Sequence, residues 1–371
     1  MKKDKNAIKQ GIAEKRWLIK LKREGLEYSR YRPNKKGNSK RESAYIQFPE
    51  KFSIYEIEDK KNFKNIIEII DDIDREIKTK VTLDFSKVRY LKVAAMLILY
   101  AAVEKAIHRG ISFKVYSLSR ENKVNRILKN SGFLTLCRNN ELKPFFDRDY
   151  MPVVSGVGGQ YRDDIVDFIQ EKIYKRRMSP DTENIYGGAV HETINNVSYH
   201  AYPKLEPSNK KWWVKCDLAK DQLYLAIYDK GVGIPETVID KSWYWDTLVL
   251  SQPDLVRKIH TELQKDQLDV NGLRLKIALG KVSDAIKIAV SMVDDVSGTG
   301  ETKHGQGSKS IKALVNKNEH GKLWIFSGNG LYIIKDGKAE VFDLPSSIEG
   351  TLIQWNIKVE YDEPENDYNR K

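Results

Sequence analysis

Residues 189–201 read AVHETINNVSYHA. Val190, Ile194 and Val197 recur at helical spacing, so the stretch predicts a helix with one apolar stripe. Glu192 and Asn196 stand four residues apart, which sets them on one face, one turn from each other. A carboxylate can take a proton from water, and an amide oxygen can ligate Mg²⁺. The same spacing suits a solvated helix face, so its meaning depends on the stretches that follow.

Three of these share its chemistry. Residues 223–228 (LYLAIY) read as a strand and run into Asp229-Lys230-Gly231-Val232-Gly233-Ile234. Glycines there allow close backbone approach, and an Asp at a strand end can accept from an exocyclic amine; an ordinary glycine turn has the same composition. Next come Gly298-Thr299-Gly300 and His304-Gly305-Gln306-Gly307-Ser308-Lys309-Ser310-Ile311, feeding a helix marked by Ile311, Leu314 and Val315. A glycine-rich loop at a helix N-terminus offers free N–H groups and a positive dipole end to phosphates. No GxxxxGK[ST] run occurs, so it is not a Walker A loop. Last, Gly350-Thr351 opens a strand over residues 352–357, and the Thr351 hydroxyl can support the same polar edge as Asp229.

In this order the four stretches resemble the Bergerat-fold ATP-binding domain of the GHKL superfamily. The resemblance implies ATP and Mg²⁺ as ligands. It implies that Asn196 holds Mg²⁺ against the phosphates and that Asp229 accepts from the adenine amino group, with Thr351 supporting a bridging water. Gly231 and Gly233 would let the base pack on the chain, Gly305, Gly307 and Ser308 would meet the phosphates, and Glu192 would be the general base. Locally it looks nearest to anti-sigma-factor serine kinases, whose helix also pairs ExxxN with a following His, as in Glu192, Asn196 and His200. The span from Gly233 to Gly305 is 72 positions, far beyond ordinary loops of about 12–15 residues. An insertion over about 235–304 is therefore expected to hold helices, at 254–265 and 283–292; such an insertion can close over ATP as a lid, or be a structural elaboration with no switching role.

Upstream, strand and helix patterns alternate: 45–48 (YIQF), 80–85 (KVTLDF), the helix 93–108, 112–117 (SFKVYS) and a helix over 122–131 closed by Gly132-Phe133. Alternation of this kind predicts a mixed or parallel sheet with helices packed on it. Residues 81–133 resemble the STAS domain of anti-sigma-factor antagonists. Where that family's regulatory form carries a phosphorylatable serine, this chain reads Lys92-Val93-Ala94-Ala95. The resemblance implies an interaction module that is not switched by phosphorylation there.

The expected fold class is thus α/β, an α+β sandwich: a basic arm at 1–42, a STAS-like domain at 43–145, a GHKL ATP-binding domain at 150–362 and a polar tail at 363–371. Of the formal net charge of +12, residues 1–42 hold +10, from 15 Lys+Arg against 5 Asp+Glu. Such an arm suits polyanions and keeps a nucleic-acid partner open beside a solvated spacer. At 40% hydrophobic residues the chain can build real cores. Two cysteines, Cys137 and Cys216, exclude a disulfide scaffold and fit a reducing cytoplasm. The apolar run 93–103 is too short for a bilayer span of about 20 residues, and the first ten residues lack the apolar core of a secretory signal. The expectation is a cytoplasmic ATPase working as a nucleotide-driven switch in a bacterial regulatory or defence complex, with a protein partner or a homo-oligomer and no membrane. The alternatives are a protein serine/threonine kinase and a nucleotide-gated binding module that does not hydrolyse.

Overall fold

Strands β1 (Ser43–Gln47) and β2 (Lys51–Phe52) are followed by helix α1 (Lys60–Arg75), β3 (Lys80–Asp84), β4 (Tyr90–Leu91), α2 (Val93–His108), β5 (Ser112–Ser117), α3 (Asn122–Asn130) and α4 (Phe133–Asn139). This is a computed structural model that describes residues 43–139, 150–237, 283–292 and 307–361. The basic stretch 1–42, Gly305, the tail 363–371 and most of the expected insertion lie outside the described residues. β1, β3 and β5 form a parallel sheet in the order β1-β3-β5. Helix α2 is buried almost all round, from Ala94 to Val103, and the sequence says why. VAAMLILYAAV has no polar side to show to water, and a helix apolar on every side must be enclosed. Phe63, Ile66, Ile67, Ile70 and Ile73 of α1 form a single buried stripe.

The second half begins with β6 (Val154–Val157) and α5 (Arg162–Phe168), which continues as a π-helical turn, Ile169–Ile173. Then come α6 (Pro180–Asn196), β7 (Lys211–Ala219), β8 (Gln222–Asp229), the short α7 (Ile234–Thr237), α8 (Asp284–Ser291), α9 (Gly307–Asn316), β9 (Lys322–Lys335) and β10 (Lys338–Lys358). The five strands form one antiparallel sheet in the order β6-β7-β8-β10-β9.

Both faces of this sheet are covered, and alternation along each strand divides the side chains between them. Leu225 and Ile227 of β8 join a cluster with Val190 and Ile194 of α6, Ala289 of α8 and Leu314 of α9. Ala226 and Tyr228 turn the other way and join α1 and α2, with Trp213, Phe326 and Leu352. The chain is therefore layered: α5, α6, α8 and α9, then the antiparallel sheet, then α1 and α2, then the parallel sheet. Residues 43–139 and 150–361 share one apolar cluster rather than meeting at a polar seam. A polar clamp reinforces it. Glu104 of α2, 8% exposed, accepts from Trp213 Nε1 and from Ser155 Oγ (2.9 Å) and pairs with Lys211 (3.1 Å). The molecule is mixed α/β. Among the described residues, no helix is long and apolar enough to cross a membrane.

Candidate functional site

Helix α6 starts where its sequence dictates. Ser179 Oγ accepts from the Thr182 amide at 3.2 Å, Pro180 follows at the first helical position, and Asp181 and Glu183 face the positive end of the dipole. Val190 and Ile194 are pulled into the core, which turns Glu192 and Asn196 toward a cavity. After Asn196 the helix widens into a π-helical turn, Val197–Ala201. Lys210 Nζ, which donates to the Ser198 carbonyl at 2.6 Å, ties that turn down.

The cavity, of about 190 Å³, lies on the helical side of the antiparallel sheet. It brings together Glu192, Asn196, Asp229, Gly233, Gly307, Ser308 and Thr351, from four separated stretches of chain. Val197, Ile227, Ile234, Ile311, Met292 and Ile353 supply its apolar walls. Gly231 does not line it: its amide donates to Asp229 Oδ1 at 2.7 Å and its Cα backs onto Ala201. Gly307 starts α9 against the Glu192 side chain, so closely that a Cβ there would collide with the carboxylate. Met292 reaches the cavity from the end of α8, in the helical stretch expected at 283–292.

Asp229 ends β8 opposite Thr351 of β10 and is 5% exposed. Burial pushes its carboxyl up to about 7, the Gly231 and Thr351 amides pull it down by hydrogen bonding, and Glu349 raises it again. The register of β10 shifts between Ile348 and Thr351, the kind of irregularity that re-aims side chains beside a site. Gly350 makes that shift possible. It sits at φ +77° against the Asp229 carbonyl, where a side chain has neither room nor an allowed backbone conformation.

Ser327 of β9 is the site residue that sequence reasoning passes over. Its hydroxyl donates to the Gly350 carbonyl (2.8 Å), accepts from the Ile234 amide (2.9 Å) and lies 3.1 Å from Thr351 Oγ1. With the one Ser327 hydrogen spent on Gly350, Thr351 donates to Ser327 and keeps its lone pairs for the cavity. The signal for Ser327 is a lone hydroxyl, fully buried, in the strand run Trp324-Ile325-Phe326-Ser327. The loop after Asp229 is held on two further sides: Val232 N donates to Ala201 O (2.8 Å), and Lys230 N donates to Tyr202 Oη (2.8 Å).

The arrangement offers a buried acceptor beside a hydroxyl, apolar walls suited to a flat ring, and a carboxylate and an amide next to a helix N-terminus. It has no thiol nucleophile to offer: burial pushes both Cys137 and Cys216 up to about 12. No family model matches this chain, and no curated protein matches it.

Proposed function

We propose that this chain binds ATP with Mg²⁺ in the cavity and hydrolyses it, as a GHKL-type ATPase that works as a nucleotide-driven switch. The observation that carries the reading is the convergence of Asp229, Thr351, Asn196, Glu192 and Gly307 on one cavity. The chemistry fits residue by residue. An ionised Asp229 accepts from an exocyclic amine, and Thr351 offers lone pairs beside it. Ile227, Ile311 and Ile353 sandwich a base. The N-terminus of α9 borders the cavity through Gly307 and Ser308, and the positive end of a helix dipole suits a phosphate.

Among the described residues, no group of three or more His, Cys, Asp or Glu side chains is gathered for a metal. A Mg²⁺ ion here would be held by the Asn196 amide oxygen together with phosphate oxygens and water. When bound, it neutralises developing phosphate charge. Glu192 takes the proton of the attacking water. The parallel-sheet half is then an interaction module in the manner of STAS domains, and its helix α2 opens on Lys92-Val93-Ala94-Ala95 with no hydroxyl to phosphorylate.

Release of phosphate from ATP by the full-length chain tests this. Turnover that needs Mg²⁺ and is lost in Asn196→Ala supports it. Absence of turnover together with absence of nucleotide uptake sinks it. Transfer of labelled phosphate to a protein hydroxyl rather than to water makes the chain a kinase.

A further inference from the structure

Asp229 is the last residue of β8 and Lys230 follows it directly, so the strand's alternation sends their side chains to opposite sides of the sheet. Asp229 faces the cavity. The Lys230 side chain goes through to the side covered by α1 and α2 and is only 5% exposed. There its ammonium sits between two carboxylates, Asp74 of α1 at 3.2 Å and Glu349 of β10 at 2.7 Å. Glu349 precedes Gly350 and Thr351, the other edge of the cavity floor. One buried cation thus ties both strands that carry the polar floor to a helix of the 43–139 half.

Asp74 is poorly placed for its own helix. It lies in the last turn of α1, where the dipole disfavours an acid. It is nevertheless met by three cations: Lys230, Lys105 (3.1 Å) and Arg109 (3.8 Å). Burial pushes its carboxyl up, but the Lys230 and Lys105 ammoniums outweigh that and hold it below its ordinary value, so it is ionised at neutral pH. An acid set against its helix dipole and neutralised from across the sheet stabilises the contact between halves rather than the helix.

The geometry points to Lys230 as a positioning residue that couples occupancy of the Asp229 cavity to α1 of the 43–139 half through the Asp74–Lys230–Glu349 bridge. The inference rests on the reading of the cavity as an adenine-nucleotide site. A ligand that draws Asp229 and Thr351 toward its base edge moves the β8 and β10 ends, and Lys230, held between Asp74 and Glu349, carries that movement to α1. The 43–139 half then senses the nucleotide with no residue of its own in the cavity.

The test uses ADP as the probe on the full-length chain, with calorimetry for affinity and amide hydrogen exchange for α1. Wild type, Asp74→Asn, Lys230→Arg and Lys230→Met are compared, and melting curves confirm that each folds. If Lys230→Met does not fold, Asp74→Asn carries the test, since Lys230 keeps Glu349 there. ADP is expected to raise amide protection at residues 70–75 in wild type. Asp74→Asn should lose that response and bind ADP more weakly by about 2- to 30-fold, the range for residues that couple sites without touching ligand. Lys230→Arg should retain both. Tight ADP binding with unchanged exchange at α1 overturns the inference alone, as does wild-type affinity in Asp74→Asn. A wild type that takes up no ADP overturns the reading of the cavity, and the inference with it.

Discussion

Asp229 bears two opposing demands. It is buried with its carboxyl raised to about 7, yet it serves an amine donor best when ionised. Below about pH 4 the acid is neutral in folded and unfolded chains alike. Between about 4 and 7 the folded protein keeps a proton that the unfolded chain releases, so this group costs stability as pH rises, and the cost is complete above 7. Asp229→Asn keeps the acceptor for the Gly231 amide and removes the charge. Its melting temperature should match wild type near pH 4 and exceed it at pH 8, by a free energy of at most about 4 kcal/mol. A variant less stable than wild type at pH 8 contradicts the burial argument. For the ligand the sign reverses: an exocyclic amine favours the ionised acid, so wild-type ADP affinity should fall below pH 7, approaching about tenfold per pH unit. Asp229→Asn should bind ADP weakly at every pH and no longer prefer it to GDP, and paired titrations at pH 6 and pH 8 check both points. Glu192→Gln keeps the shape and loses the base. Turnover should fall by about 10²–10⁴-fold with ATP affinity retained, read by phosphate release beside binding. Unchanged turnover assigns the proton to another group.

At the scale of elements, the junction of α6 and α9 decides whether Glu192 is aimed. Gly307 allows α9 to start against the Glu192 side chain. Gly307→Ala adds a methyl where the Glu192 carboxylate lies, and the far end of that flexible side chain can move aside at little cost in stability. The melting temperature should therefore hold while turnover drops, and wild-type turnover in this variant would separate α9 from the chemistry. Which elements could be read in advance follows from where they are buried. Helix α2 is legible to the residue, as are the ends of β5, because Gly110 and a wholly apolar run leave one solution. Helix α1 is absent from the expected elements although Phe63, Ile66, Ile67, Ile70 and Ile73 recur at helical spacing with charges on the opposite side. The strand expected at 352–357 is the end of a much longer β10, since Phe342, Asp343 and Pro345 do not alternate as a half-buried strand should. Of the site, Glu192, Asn196, Asp229, Gly307 and Thr351 are legible because chemistry and spacing coincide there. Ser327 acts through a tertiary hydrogen bond to Gly350 that no local pattern announces.

At the scale of the whole molecule, both faces of the antiparallel sheet are covered among the described residues. Its cavity side is held by α6, α8 and α9, and its other side is sealed by α1 and α2, with Glu104 and Lys230 among the polar links between halves. Movement at the cavity floor is therefore felt by the parallel-sheet half, which suits a switch better than a freestanding hydrolase. The central claim is that the cavity is an adenine-nucleotide site built on Asp229. The most direct test is a calorimetric titration of the full-length chain with ATP in Mg²⁺ at pH 8, run against GTP and repeated with Asp229→Asn. The account predicts one saturable ATP site per chain, weaker uptake of GTP, and loss of that preference in the variant. An absence of saturable heat with ATP, or a preference for ATP that survives Asp229→Asn, contradicts it.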